Sequence, residues 1–76
     1  MLKLPTDLSG REVRAALERA GFIFRRQKGS HMMLRRDHPY ARVVVPDHKQ
    51  MRSGTLRRII ADAGLTLEQF MQLLGR

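Results

Sequence analysis

The residues of this chain best suited to chemistry are Gly29, Ser30 and His31, which are consecutive in a strongly basic sequence. The imidazole of a histidine exchanges protons near neutral pH, because its unperturbed pKa is about 6.5. Glycine has no side chain, so a phosphate can approach the backbone beside it. The formal net charge of +8 attracts polyanions. The three residues therefore indicate acid–base chemistry on RNA, in which His31 removes the proton of a 2′-hydroxyl. The residues alone also allow a simpler interpretation, a turn followed by a surface histidine.

The groups around His31 extend this hypothesis. Lys28, Arg26 and Arg35 are candidates to bind phosphate and to neutralise the charge that develops on it, and Gly29 with Ser30 would shape the approach of the RNA. His48 is either a second acid–base group or a residue that organises its loop. Besides these, His38 is expected to be a surface histidine.

A metal or cofactor site is not expected. The chain contains no cysteine and no H-x-x-x-H pair, and its acidic residues do not cluster. It also has no phosphate-binding glycine-rich loop of the P-loop type. The chemistry proposed for His31 therefore has to proceed without a metal or a small-molecule cofactor.

The composition predicts one cytoplasmic domain over residues 1–76. Apolar residues make up 42% of the chain, which suits a packed core. No apolar run approaches the roughly 20 residues that cross a bilayer, and the first residues lack a signal-peptide pattern. The charge is uneven, because residues 19–36 contain no acid. The basic residues of that segment are Arg19, Arg25, Arg26, Lys28, Arg35 and Arg36.

Apolar spacing and turn residues predict the order α-β-β-β-α-α. Ser9 and Glu12 match a capping box, in which each side chain accepts a hydrogen bond from the other residue's amide. Ser53 and Thr66 are the expected caps of the second and third helices. The predicted elements are a helix over residues 10–20, strands over 22–27, 31–36 and 41–45, a second helix that Ser53 caps and Gly64 stops, and a helix that ends near Leu74.

Short turns between the strands predict an antiparallel meander, and only the helices can cover its apolar face. The fold class is therefore α+β, a two-layer sandwich with a three-stranded antiparallel sheet and helices on one face. Alternation places Met32 and Leu34 on one face of the second strand, with His31, Met33 and Arg35 on the other. Which arginines share the face of His31 depends on the strand register. Tyr40 lies in a turn where it could stack on a base, but the sequence does not assign it that role.

Several segments together resemble the HicA family of bacterial toxins, which are mRNA interferases. The resemblance covers nearly the whole chain, and its segments are Gly21-Phe22, Gly29-Ser30-His31, Val44-Val45-Pro46-Asp47-His48, the run from Gly54 to Ile60 and the run from Ala63 to Phe70. It implies a fold like that of double-stranded RNA-binding domains and a metal-independent endoribonuclease in which His31 is catalytic. It also implies a HicB-type antitoxin as protein partner. The family pattern includes a histidine at the position of His48.

The expected function is thus the toxin of a type II toxin–antitoxin system, which cleaves mRNA and inhibits translation. Two alternatives remain at this point. The first is a non-enzymatic module that binds double-stranded RNA through the same basic face. The second is an adaptor that only docks an acidic protein.

Overall fold

A computed structural model of the chain describes residues 3–75. The ends of the predicted domain, residues 1–2 and 76, lie outside this described part. The elements follow the predicted order, and their ends differ by about one residue from those predicted. The helices are α1 (Gly10–Arg19), α2 (Ser53–Asp62) and α3 (Leu67–Leu74), and the strands are β1 (Ile23–Lys28), β2 (His31–Asp37) and β3 (Tyr40–Pro46).

The helix caps are set by local hydrogen bonds in two helices of three. The predicted capping box at α1 is present, with Glu12 N–H donating to the Ser9 hydroxyl at 3.1 Å and Ser9 N–H donating to the Glu12 carboxylate at 3.0 Å. Thr66 caps α3 in the same way. Both predictions are confirmed.

The prediction that Ser53 caps α2 is wrong. The N-cap is Arg52, which makes no capping hydrogen bond through its side chain, and Ser53 is the first helical residue. The entry to this helix is instead fixed by packing. Met51 is buried and donates its N–H to the Leu8 carbonyl at 2.6 Å. Tertiary contact therefore replaces the hydroxyl cap.

The strands form one antiparallel sheet in the order β1-β2-β3. Its inner face carries Met32, Leu34, Val43 and Val45, which are buried against the helices. Among the fully buried side chains of this core, Phe70 of α3 is the largest. The other sheet face carries exposed or half-buried residues, so the predicted two-layer α+β sandwich with helices on one face is confirmed. None of the helices between residues 3 and 75 has the length and apolar composition of a membrane crossing.

Candidate functional site

The open face of the sheet, the face without helices, carries His31 and most of the basic residues that the sequence singled out. Because paired residues of antiparallel strands share a face, the register orders this surface into rows. The rows, from one end of β2 to the other, are Lys28–His31–Pro46, Arg26–Met33–Val44, Ile23–Arg35–Arg42 and Asp37–Tyr40. The predicted site residues Arg26, Lys28 and Arg35 therefore lie on the same face as His31.

His31 begins β2 immediately after a two-residue turn. Gly29 has a φ of +59°. Among the described residues only glycines have a positive φ, so the φ of Ser30 is negative. This combination is that of a type II′ hairpin turn, which favours glycine at its first position. A Cβ on Gly29 would meet no neighbouring atom within 4 Å, so backbone conformation rather than space calls for glycine here.

The carbonyl groups of this turn are held from both sides. The Gln27 side-chain amide donates to the Gly29 carbonyl at 3.0 Å, and Asp47 N–H donates to the Ser30 carbonyl at 2.6 Å. The His31 side chain itself is exposed. The turn thus fixes the backbone beside the imidazole and leaves the ring open to a ligand.

The bond between Ser30 and Asp47 also joins the two histidine-containing segments at one end of the sheet. His48 follows Asp47 and is exposed, and its backbone carbonyl accepts a hydrogen bond from Gly10 N–H at 2.8 Å. A Cβ on Gly10 would overlap the carbonyl oxygen of Pro46. The start of α1 therefore packs directly on the backbone of residues 46–48, and this position requires glycine.

Asp47 is the centre of the ionic contacts at this end. Arg11 of α1 donates from Nε to Asp47 Oδ1 at 3.2 Å, and Gln27 donates to Oδ2 at 3.4 Å. The hydrogen bond from Arg11 has the largest effect on the pKa of Asp47 and lowers it. Partial burial is the second-largest effect and opposes this shift, while the hydrogen bond from Gln27 and the charges of Arg11 and His48 lower the pKa further. The same contact raises the pKa of Arg11. Asp47 thereby ties α1 to the loop that carries His48.

The basic side chains near His31 differ in their contacts. Arg26 donates from Nε to Met33 Sδ at 3.4 Å, across the strand pair. Arg35 forms an ion pair with Asp37 at 3.0 Å, which offsets part of its charge. Lys28 is exposed and pairs directly with His31 across β1 and β2. Among residues 3–75, no group of His, Cys, Asp or Glu side chains is arranged to hold a metal ion.

Two arginines of the open face were not among the predicted site residues. Arg42 of β3 lies beside Arg35 in the same row. Arg25 is the extra residue of a β-bulge between Phe24 and Arg26. Together with Arg26, Arg35 and Tyr40 they line a depression of about 370 Å³. The alternation of Tyr40, Arg42 and Val44 with buried neighbours could have identified Arg42, whereas the bulge has no sequence signal of its own.

Arg36, by contrast, is not part of this basic surface although it belongs to the same acid-free segment. It lies on the inner face, where its guanidinium donates to the carbonyls of Pro39 at 3.0 Å, Ala63 at 3.1 Å and Ala20 at 3.4 Å. Its guanidinium carbon is 4.6 Å from the centre of the Phe22 ring. Arg36 therefore stabilises the fold and does not belong to the open face.

Comparison with known proteins gives one family. A model of a family described as "HicA toxin of bacterial toxin-antitoxin" matches residues 10–65, which include the turn at Gly29, the loop at Asp47 and α2. No curated protein matches the chain. The matched span is well over half of the chain and contains the whole sheet.

Proposed function

Since the chain belongs to the HicA toxin family, whose members are toxins of bacterial toxin–antitoxin systems, we propose that it is an endoribonuclease. In this proposal it cleaves mRNA in the cytoplasm without a metal ion, and a HicB-type antitoxin binds it. The observation that carries the proposal is the position of His31, whose exposed ring projects from a fixed turn on a basic sheet face. The net charge of +8 suits both RNA and an acidic antitoxin.

The proposed reaction begins with His31 as general base. Its imidazole accepts the proton of a 2′-hydroxyl while that oxygen attacks the adjacent phosphorus. The bond from phosphorus to the 5′-oxygen of the next nucleotide breaks, and that oxygen takes up a proton from water. The products are a 2′,3′-cyclic phosphate and a 5′-hydroxyl. General acid–base catalysis of this kind contributes about 10²–10⁴-fold to a rate.

Positive charge near the phosphate has a separate role. Lys28 lies across from His31, and Arg26 lies in the next row of the same face. Fixed cations stabilise the additional negative charge of the transition state and need little rearrangement to do so. Arg35 contributes less to this stabilisation than Lys28 and Arg26, because its charge is already paired with Asp37. The backbone carbonyl of His48 accepts a hydrogen bond from the start of α1. The ring of His48 takes part in no proton-transfer step of the proposed reaction.

The test is cleavage of single-stranded RNA in the presence of EDTA by the native chain and by His31→Ala. His38→Ala is the matched control, because His38 is also exposed but lies in the turn at the other end of β2. We expect cleavage by the native chain and the control, and a loss of about 10²-fold or more in the His31 variant. A 2′-deoxy nucleotide at the cut site should abolish cleavage. RNA binding by all variants with cleavage by none would favour the non-enzymatic RNA-binding module instead.

A further inference from the structure

The open face extends well beyond His31, and of its far half the proposed reaction uses only Arg35. From His31 to Asp37 the strand covers roughly 20 Å at about 3.3 Å per residue. The rows that lie away from His31 carry Arg35, Arg42 and Tyr40, with Arg25 at the bulge. Asp37 is the sole acidic residue in these rows, and it pairs with Arg35. The far half is therefore a strongly basic surface that continues the candidate site.

The open face also exposes large apolar side chains between its cations. The exposed fractions are 59% for Ile23, 64% for Tyr40 and 42% for Val44. A duplex presents mainly phosphates and ribose hydroxyls, which give apolar side chains little to contact. A single strand exposes the faces of its bases, which stack on aromatic rings and pack on apolar groups. The mixture of cations and apolar groups therefore favours single-stranded over double-stranded RNA.

We infer that the open face binds a single RNA strand along its length, with Arg42 on a phosphate and the Tyr40 ring stacked on a base, several nucleotides from the bond at His31. This inference rests on the proposed function, since it names the substrate of the same site. The RNA strand crosses the rows of side chains. These rows are about 7 Å apart, because each row is two residues further along β2. That spacing is comparable with one nucleotide of an extended strand.

Two features make RNA the occupant of this face rather than an acidic protein. The far rows are continuous with the row of His31, so an RNA strand that lies along β2 with its cut site at His31 extends over them. The depression lined by Arg25, Arg26, Arg35, Arg42 and Tyr40 collects cations around one aromatic ring. This is the combination by which proteins bind single strands without reading their sequence.

The affinity test uses His31→Ala as background and a labelled RNA of about 12 nucleotides, within the usual site size of about 4–16. Tyr40→Leu should weaken binding about tenfold, because it removes a stacking ring, while Tyr40→Phe should bind as the parent does. Arg42→Gln should also weaken binding and reduce the slope of log affinity against log salt by about 0.7, the value for one phosphate of a single strand. The tyrosine variants should leave that slope unchanged.

Arg57→Gln is the matched control for charge. Arg57 is an exposed arginine of α2 that does not line the open face. Its removal should change neither the affinity nor the salt slope by as much as that of Arg42. Equal effects of Arg42→Gln and Arg57→Gln would overturn the inference, as would equal binding by Tyr40→Leu and Tyr40→Phe. A preference for duplex RNA of the same length would also overturn it.

Cleavage kinetics in the native background separate this inference from the proposed function. Tyr40→Leu and Arg42→Gln should lower kcat/KM for the RNA of about 12 nucleotides but leave it unchanged for a dinucleotide, which is too short to reach them. If the native chain cleaves RNA and both variants cleave the long substrate equally well, the proposed function stands and the inference fails. If no protein cleaves but binding depends on Tyr40 and Arg42 as described, the inference stands and the nuclease proposal fails.

Discussion

Replacement of Arg36 by alanine should destabilise the fold more than any other single arginine change on the sheet. Its guanidinium donates to three backbone carbonyls, at 3.0, 3.1 and 3.4 Å. Two of these carbonyls belong to Ala20 and Ala63, the C-caps of α1 and α2, where a cation also interacts favourably with the helix dipole. The same group lies over the Phe22 ring. One side chain thus connects the sheet, two helix ends and the turn at Pro39.

The magnitude follows from these contacts. A protein hydrogen bond contributes about 0.5–1.5 kcal/mol net, and a cation–π contact about 0.5–2 kcal/mol. Because Arg36 is only partly buried, water replaces some of the lost bonds, and we expect Arg36→Ala to lower the free energy of unfolding by about 3 kcal/mol. For a domain of this size, this corresponds to a fall in Tm of about 12–24 °C. The stability of Arg36→Lys should lie between that of the native chain and that of Arg36→Ala, since a compact ammonium group cannot reach all three carbonyls.

Thermal and urea denaturation followed by circular dichroism measure this effect, with His31→Ala as background so that the protein can be expressed. Arg35→Ala is the matched control, because Arg35 is the adjacent residue but forms one solvent-exposed ion pair, worth about 0–1 kcal/mol. If Arg36→Ala and Arg35→Ala lose the same stability, the assignment of Arg36 as the connecting residue is refuted.

Two further predictions concern the contact between α1 and the loop of residues 46–48. Gly10→Ala should cost about 1–3 kcal/mol of unfolding free energy, because its Cβ overlaps the Pro46 carbonyl; Gly54→Ala, in open space within α2, should be neutral or stabilising. Urea midpoints that fall equally for both variants would contradict this. The pKa of Asp47 is lowered in the folded state, so its contribution to stability is complete above its usual pKa of about 4 and is lost as the pH falls from there through the lowered value. The stability difference between the native chain and Asp47→Asn should therefore be constant above about pH 5 and shrink as the pH falls from about 4 through the lowered pKa. A difference that stays constant down to about pH 2 would show that the Arg11 contact does not perturb this carboxyl.

The candidate site shows where local sequence information is sufficient. The Gly29-Ser30 turn and the alternation in β2 place His31 opposite Met32 and Leu34, because successive side chains of a strand point to opposite faces. The capping boxes at Ser9 and Thr66 were also predictable, because each hydrogen-bond partner is only three residues away in the sequence. The role of His31 in proton transfer remains a prediction that rests on residue type and family.

Other parts of the site depend on contacts between residues far apart in sequence. The bulge at Arg25 sets which arginines of β1 face the same way as Arg35, and a simple alternation pattern cannot reveal an inserted residue. The cap expected from Ser53 was wrong because packing of Met51 against Leu8 fixes the start of α2.

By itself, the sequence determined the element order, the inner and outer faces of β2 and β3, and the turn that presents His31. These features depend on side chains within a few residues of each other, so composition and spacing specify them. The tertiary structure alone decided that Arg36 stabilises the core while Arg42 joins the basic open face, and that Gly10 contacts the loop of His48. The reason is physical: the role of a charged side chain depends on the carbonyls, rings and charges that folding brings near it. Those neighbours are far from it in the sequence, so local patterns do not identify them.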